Sequence, residues 1–105
     1  MSDEFSEFDS VDPVETIHEI LKTAIELGAP VFNCGDERGC FDIYTATARM
    51  LLQIVRDADD ERAVLREALQ EAALEPSTYE QAWIMRRAFD LILGEDVEEE
   101  FDNRN

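Results

Sequence analysis

Cys34, Cys40, Asp36 and His18 are the side chains of this sequence that could hold a metal or act as a nucleophile, and their spacing argues against both. The cysteines stand six apart, where a zinc knuckle uses roughly three or five, and His18 is the only histidine, so a four-ligand site would also need Asp36. A Cys-His nucleophile pair is the other chemistry on offer. The helical period sends Cys40 inward, however, and a buried thiol is usually inert. Both cysteines are therefore expected to be reduced and structural. His18 borders the apolar face formed by Val14, Leu21 and Ile25, a place for a packed or capping histidine. The many carboxylates fall in charge runs of the kind that form solvated faces. No catalytic residue, cofactor or metal ligand is assigned, and the chain reads as non-enzymatic.

Binding chemistry is better represented. On a helical wheel Tyr79, Trp83, Arg86, Arg87 and Asp90 share one side of a fourth helix, opposite Ala82, Ile84, Met85, Ala88, Phe89, Leu91, Ile92 and Leu93. Tyrosine, tryptophan and arginine are the residue types in which binding energy concentrates, so this stripe is the expected partner-binding surface, with Trp83 as anchor. An exposed tryptophan needs a cover. An acidic or aromatic segment of another protein could supply it, as could this chain's own Phe5, Phe8 or Phe101, which lie among carboxylates. The competing reading packs Trp83 against the 29–34 segment or a neighbouring helix.

Four helices must position these groups. The first is expected over 13–28, with Asp12 as cap, Pro13 at the first helical position, Glu15 at the capping-box position and Gly28 as stop. Its inward face is Val14, Ile17, Leu21, Ala24 and Ile25. The second, over 36–56, is apolar around most of its circumference, with Asp42, Thr45, Arg49, Gln53 and Arg56 as a narrow polar strip. It should be the central and most buried helix, and Gly39 in its first turn implies close approach of the first helix. A third helix over 60–74 turns Val64, Leu65, Ala68, Leu69 and Ala72 inward. Ser77-Thr78-Tyr79-Glu80 is a capping box that opens the fourth, over 77–93, which Gly94 ends. Short connections make successive helices antiparallel. The fold class is thus all-α, four antiparallel helices arranged as stacked helical hairpins or a four-helix bundle, with stacked hairpins favoured.

Residues 20–52 resemble a tetratricopeptide-repeat helical hairpin. Leu27 and Gly28, Gly35, Cys40 at the small-residue position and Tyr44 stand at that repeat's spacings, while Ala24, Val31 and Thr47 depart from it and Pro30 interrupts the first helix. No second copy is evident in 60–94. The run Gly28-Ala29-Pro30-Val31-Phe32-Asn33-Cys34-Gly35-Asp36 is also similar to short bacterial helical domains with a Gly-Ala-Pro-x-Phe/Tyr-Asn-x-Gly-Asp segment. The repeat resemblance implies a protein-binding scaffold.

Charge bounds the partner. The 105 residues carry 26 acids against 9 bases, a net charge of −17. Residues 1–13 hold five acids and no base and 95–105 hold six acids and Arg104, so −10 of the −17 sits there. Segments 1–12 and 95–105 are read as disordered acidic tails flanking one domain over 13–94. Such a field repels phosphates and anionic lipid, so no direct nucleic acid and no membrane partner is expected, and no window has the ~20 apolar residues of a membrane span. A cytoplasmic location follows. The expected function is a protein-protein interaction module, with self-association into a homo-oligomer open. The alternative is an acidic nucleic-acid mimic or charge-based regulator of a basic protein. Lys22 is the only lysine beside eight arginines, a balance that resembles proteins of salt-accumulating organisms, against the plainer source of a GC-rich genome. If salt adaptation is the cause, the melting temperature should keep rising as salt goes from about 0.1 M to about 2 M, the range over which the Debye length falls from about 10 Å towards 3 Å. A flat profile over that range would remove the argument.

Overall fold

The structure, a computed structural model, describes residues 12–94. The expected acidic tails lie outside the described residues. Four helices account for the fold: α1 (Pro13–Asn33), α2 (Glu37–Ile54), α3 (Asp59–Leu74) and α4 (Thr78–Leu93). No helix among the described residues is long and apolar enough to cross a membrane.

α1 begins as its sequence dictates. Asp12 accepts a hydrogen bond from the Val14 amide at 2.9 Å, and Pro13 occupies the first turn, where a missing N–H costs nothing. Its end differs from expectation. Gly28 does not stop the helix, which runs on through Pro30 to Asn33. Gly28 serves another purpose, because a β-carbon there would lie 2.6 Å from Tyr44 Cε1. The bare backbone lets the Tyr44 ring lie flush against α1. The stop is Gly35, whose φ of +97° is a left-handed conformation that costs glycine little, and whose amide donates to the Phe32 carbonyl at 2.9 Å.

Asp36 caps α2 by accepting from the Gly39 amide at 2.8 Å. A β-carbon at Gly39 would collide with that same carboxylate and touch Val31 Cγ1 at 3.0 Å, so the glycine accommodates its own cap and a side chain of α1, as Gly28 accommodates Tyr44 of α2. The far end of α2 is held by a side chain from the next helix. The Arg62 guanidinium donates to the Leu52 and Val55 carbonyls at 2.6 and 2.7 Å, satisfying acceptors that every helix end leaves open.

α3 has no side-chain cap, but Asp59, Asp60 and Glu61 in its first turn complement the helix dipole. The Gln81 amide nitrogen donates to the Ala72 carbonyl at 2.9 Å and ties the end of α3 to α4. Ser77 caps α4 through the Glu80 amide at 3.3 Å, and the Ser77 amide donates to Glu75 rather than to Glu80 as a capping box would have it.

The helices form two hairpins, α1/α2 and α3/α4, packed chiefly through α2 on α4, with a smaller contact between α1 and α4 that includes Phe32 on Tyr79 and Trp83. This is the stacked arrangement. α2 contacts all three other helices, as its apolar circumference requires. The core joins Ile17, Leu21 and Ala24 of α1, Cys40, Tyr44, Ala48 and Leu51 of α2, Leu65, Ala68 and Ala72 of α3, and Ala82, Met85 and Phe89 of α4. Two assignments on α2 are corrected. Ile54, four residues after Met50, lies with it on the side that no helix covers, and both are exposed. Thr45, read as part of the polar strip, is buried, and its hydroxyl donates to the Asp42 carbonyl at 3.2 Å.

Gly28→Ala tests the packing directly. In an open helix the change would stabilise by up to ~1 kcal/mol, but here the added methyl must displace a buried ring, an overpacking cost of about 1 to 3 kcal/mol. A net loss of stability is expected in urea unfolding. A gain would show that Tyr44 is not confined.

Candidate functional site

α1's unexpected last turn creates the site. Because the helix continues past Gly28, Ala29, Phe32 and Asn33 project on one face and meet Cys40 and Tyr44 of α2 and Ala82, Trp83 and Arg86 of α4 around a half-open cavity of about 140 Å³. Its aromatic wall is a triad. Phe32 lies 5.5 Å from Tyr79 between ring centroids and 5.9 Å from Trp83 in an edge-on contact, and Tyr79 and Trp83 are 6.5 Å apart. These are separations at which aromatic pairs attract.

Its floor is polar. The Tyr44 hydroxyl lies close enough to the Cys40 thiol and the Arg86 guanidinium to feel both electrostatically, while its ring packs on Phe89 at 5.1 Å. Arg86 Nε donates to both Asp90 oxygens at 3.2 Å. Burial works against the guanidinium's charge, but Asp90 and then Tyr44 outweigh it and hold the Arg86 pKa above its ordinary value. Burial pushes the Tyr44 phenol well up, and the neighbouring Cys40 adds to this. Burial also raises the Cys40 thiol, opposed by Tyr44 and the Arg86 charge. At neutral pH the floor therefore presents a phenol, a thiol and a half-buried cation.

The five residues of the expected stripe divide. Tyr79 is exposed at the rim, Trp83 is half-buried in the wall, and Arg87 is exposed on the far side of α4, where it lines a groove of about 220 Å³ between α3 and α4. Arg86 is half-buried in the floor. Asp90 is corrected: it is only 4% exposed, its carboxylate taken up by Arg86, whereas Leu91, assigned inward, is 66% exposed. The wheel gave the direction of each side chain but not its cover: Leu91 lies at the open rim of the groove between α3 and α4, while Asp90 is covered where it meets Arg86. The alternative packing of Trp83 against the 29–34 segment is what the structure contains, in the Phe32 contact. Phe32, Asn33 and Tyr44 were missed as site residues. The signal was present, since 28, 29, 32 and 33 share one helical face once the helix is allowed to pass Gly28.

Cys40 is buried as expected and Cys34 is exposed, both as free thiols. Among the described residues no group of three or more His, Cys, Asp or Glu could hold a metal. His18 is half-buried on α1, 16 residues and so about 24 Å along the helix from Cys34. Comparison with protein-family models, with curated proteins and with solved structures finds no match.

The raised thiol and phenol give a stability signature. The folded state holds these two protons more tightly than the unfolded chain, so their contribution is fully present below the ordinary values of 9.0 and 10.0 and is lost as pH rises through the folded ones. The urea midpoint should fall as pH climbs from about 8.5 to about 10.5, the range bracketing free cysteine and tyrosine. A Cys40→Ala, Tyr44→Phe double variant should lose much of that slope. An unchanged slope would show that neither group titrates differently on folding.

Proposed function

We propose that the protein is a non-catalytic interaction module that takes a side chain of a partner protein into the notch between α1, α2 and α4. The observation that carries this reading is the aromatic triad Phe32, Tyr79 and Trp83 beside an open cavity of about 140 Å³. A cavity of about 150 Å³ is the size that accepts one benzene ring. Tyrosine and tryptophan at a concave site are the anchors that dominate binding free energies, and Arg86 beneath them adds a directional donor. The stacked-hairpin architecture and the tetratricopeptide-like spacing of residues 20–52 point the same way. Within the stripe, Tyr79 and Trp83 are the contact residues, Arg86 orients the ligand, Arg87 lies at the flank, and Asp90 acts by positioning Arg86.

Partner capture from a native lysate, followed by affinity measurement with the protein identified, tests this. Trp83→Ala should weaken binding by about 2 kcal/mol or more, which is roughly 30-fold. Trp83 also packs on α1, so Tyr79→Ala, which removes a more exposed ring of the same triad, is the second variant; it should weaken binding several-fold with helical content unchanged by circular dichroism. Affinity within a factor of about two of the parent for both variants would move the binding surface elsewhere.

A further inference from the structure

The outer side of the α3/α4 hairpin is a second surface, separate from the notch. A groove of about 220 Å³ runs there between the two helices, over Ala68 and Ala88. Its α3 bank is the line Val64, Glu67, Glu71 and Leu74, at spacings of three, four and three, and its α4 bank is Ile84, Arg87 and Leu91, at three and four. Leu74 and Leu91 are 85% and 66% exposed, the two most exposed large apolar side chains among the described residues. Apolar surface gathered around a groove marks an interaction site. Glu67, Glu71 and Arg87 are exposed beside it, and none of them enters either ion pair found among the described residues.

Charge constrains what covers this face. A chain carrying −17 repels its own copies, so two copies can meet only where opposite charges come together locally. This groove meets that condition, because its acids lie on one bank and its base on the other. A two-fold axis along the groove sets each bank over the opposite bank of a second copy, at the same height. In an antiparallel hairpin whose residues line one groove, Leu91 stands level with Val64, and Arg87 with the turn between Glu67 and Glu71.

We propose that the α3/α4 face is a symmetric dimer interface between two copies of this chain, in which Arg87 of each copy lies between Glu67 and Glu71 of the other and Leu91 of each packs on Val64 of the other. A basic segment of a different protein fits the face less well, since it would satisfy the acids and set its own charge against Arg87. Each helix has 16 residues, or about 24 Å, and two axes about 9 Å apart present a face about 20 Å wide. That is the small end of specific interfaces, so the dimer is reversible. Tyr79 and Trp83 meet α1 on the other side of α4, so each copy keeps its notch outside the interface.

Sedimentation velocity of the full chain from about 1 μM to about 1 mM, where so small an interface dissociates, should show monomer giving way to dimer. Arg87→Glu, and separately the double variant Glu67→Arg, Glu71→Arg, should each weaken the dimer about tenfold or more by facing like charges, with helical content unchanged. An equimolar mixture of these two variants should dimerise again, because every charge then meets its opposite across the interface. No effect confined to one chain produces recovery on mixing. Tyr79→Ala should leave dimerisation unchanged. A chain that stays monomeric over the whole range overturns the proposal, as does a mixture that fails to recover. A dimer indifferent to Arg87→Glu also overturns it, and loss on Ile54→Glu would then place the interface on the uncovered side of α2.

Discussion

Everything in this small fold is arranged around the Tyr44 ring lying on the bare backbone of Gly28. That contact limits how near α1 comes to α2, because a β-carbon at Gly28 would lie 2.6 Å from Tyr44 Cε1, well under van der Waals contact. The other face of the ring packs on Phe89, so the same side chain fixes α4 against α2 and thereby joins the two hairpins. Its hydroxyl lies near Arg86, and Arg86 in turn takes up Asp90. A carboxylate and a guanidinium are thus brought below the surface at low cost, since each polar group meets a partner. The notch is the space left over where α1 continues beyond Gly28 but Tyr44 keeps Cys40 and Ala82 from closing it.

The connections that punctuate the chain chemically were legible from sequence. Asp12-Pro13 opens α1, Pro76-Ser77 opens α4 and Gly94 closes it, each through a backbone rule with few exceptions. The apolar faces of α1 and α3 were legible too, because Ile17, Leu21, Ala24, Leu65, Ala68 and Ala72 repeat at the helical period and nothing competes for them. Gly28 was not. A glycine near a helix end carries two meanings, a terminator or a point of close packing, and only the partner across the interface distinguishes them. Here that partner is Tyr44, 16 residues on. The misplaced end of α1 concealed Phe32 and with it the wall of the notch. The inversion of Asp90 and Leu91 has the same origin, since a wheel gives directions from one axis and says nothing of how far each neighbour extends.

The joints between helices rely more on side chains than the pattern suggested. Arg62 closes the end of α2 from the next helix and Gln81 closes the end of α3 from α4, each by donating to carbonyls that would otherwise face water or apolar surface. Neither role has a signature in local spacing, because the acceptors lie seven to ten residues away in sequence. Only two ion pairs join the described residues, Arg38 with Asp42 and Arg86 with Asp90, and the first is exposed and contributes little. Among the described residues the other acidic side chains therefore act as a field around the fold and not as internal ties.

Pro30 gives the notch unequal jaws. A proline has no amide to donate, so the rung that would reach back to the Glu26 carbonyl is missing, and α1 is softest one turn before Phe32. The opposing jaw, Trp83, rides on a helix anchored on both sides by Met85 and Phe89, which are fully buried. The width of the opening therefore depends on one turn of α1 that lacks a backbone hydrogen bond.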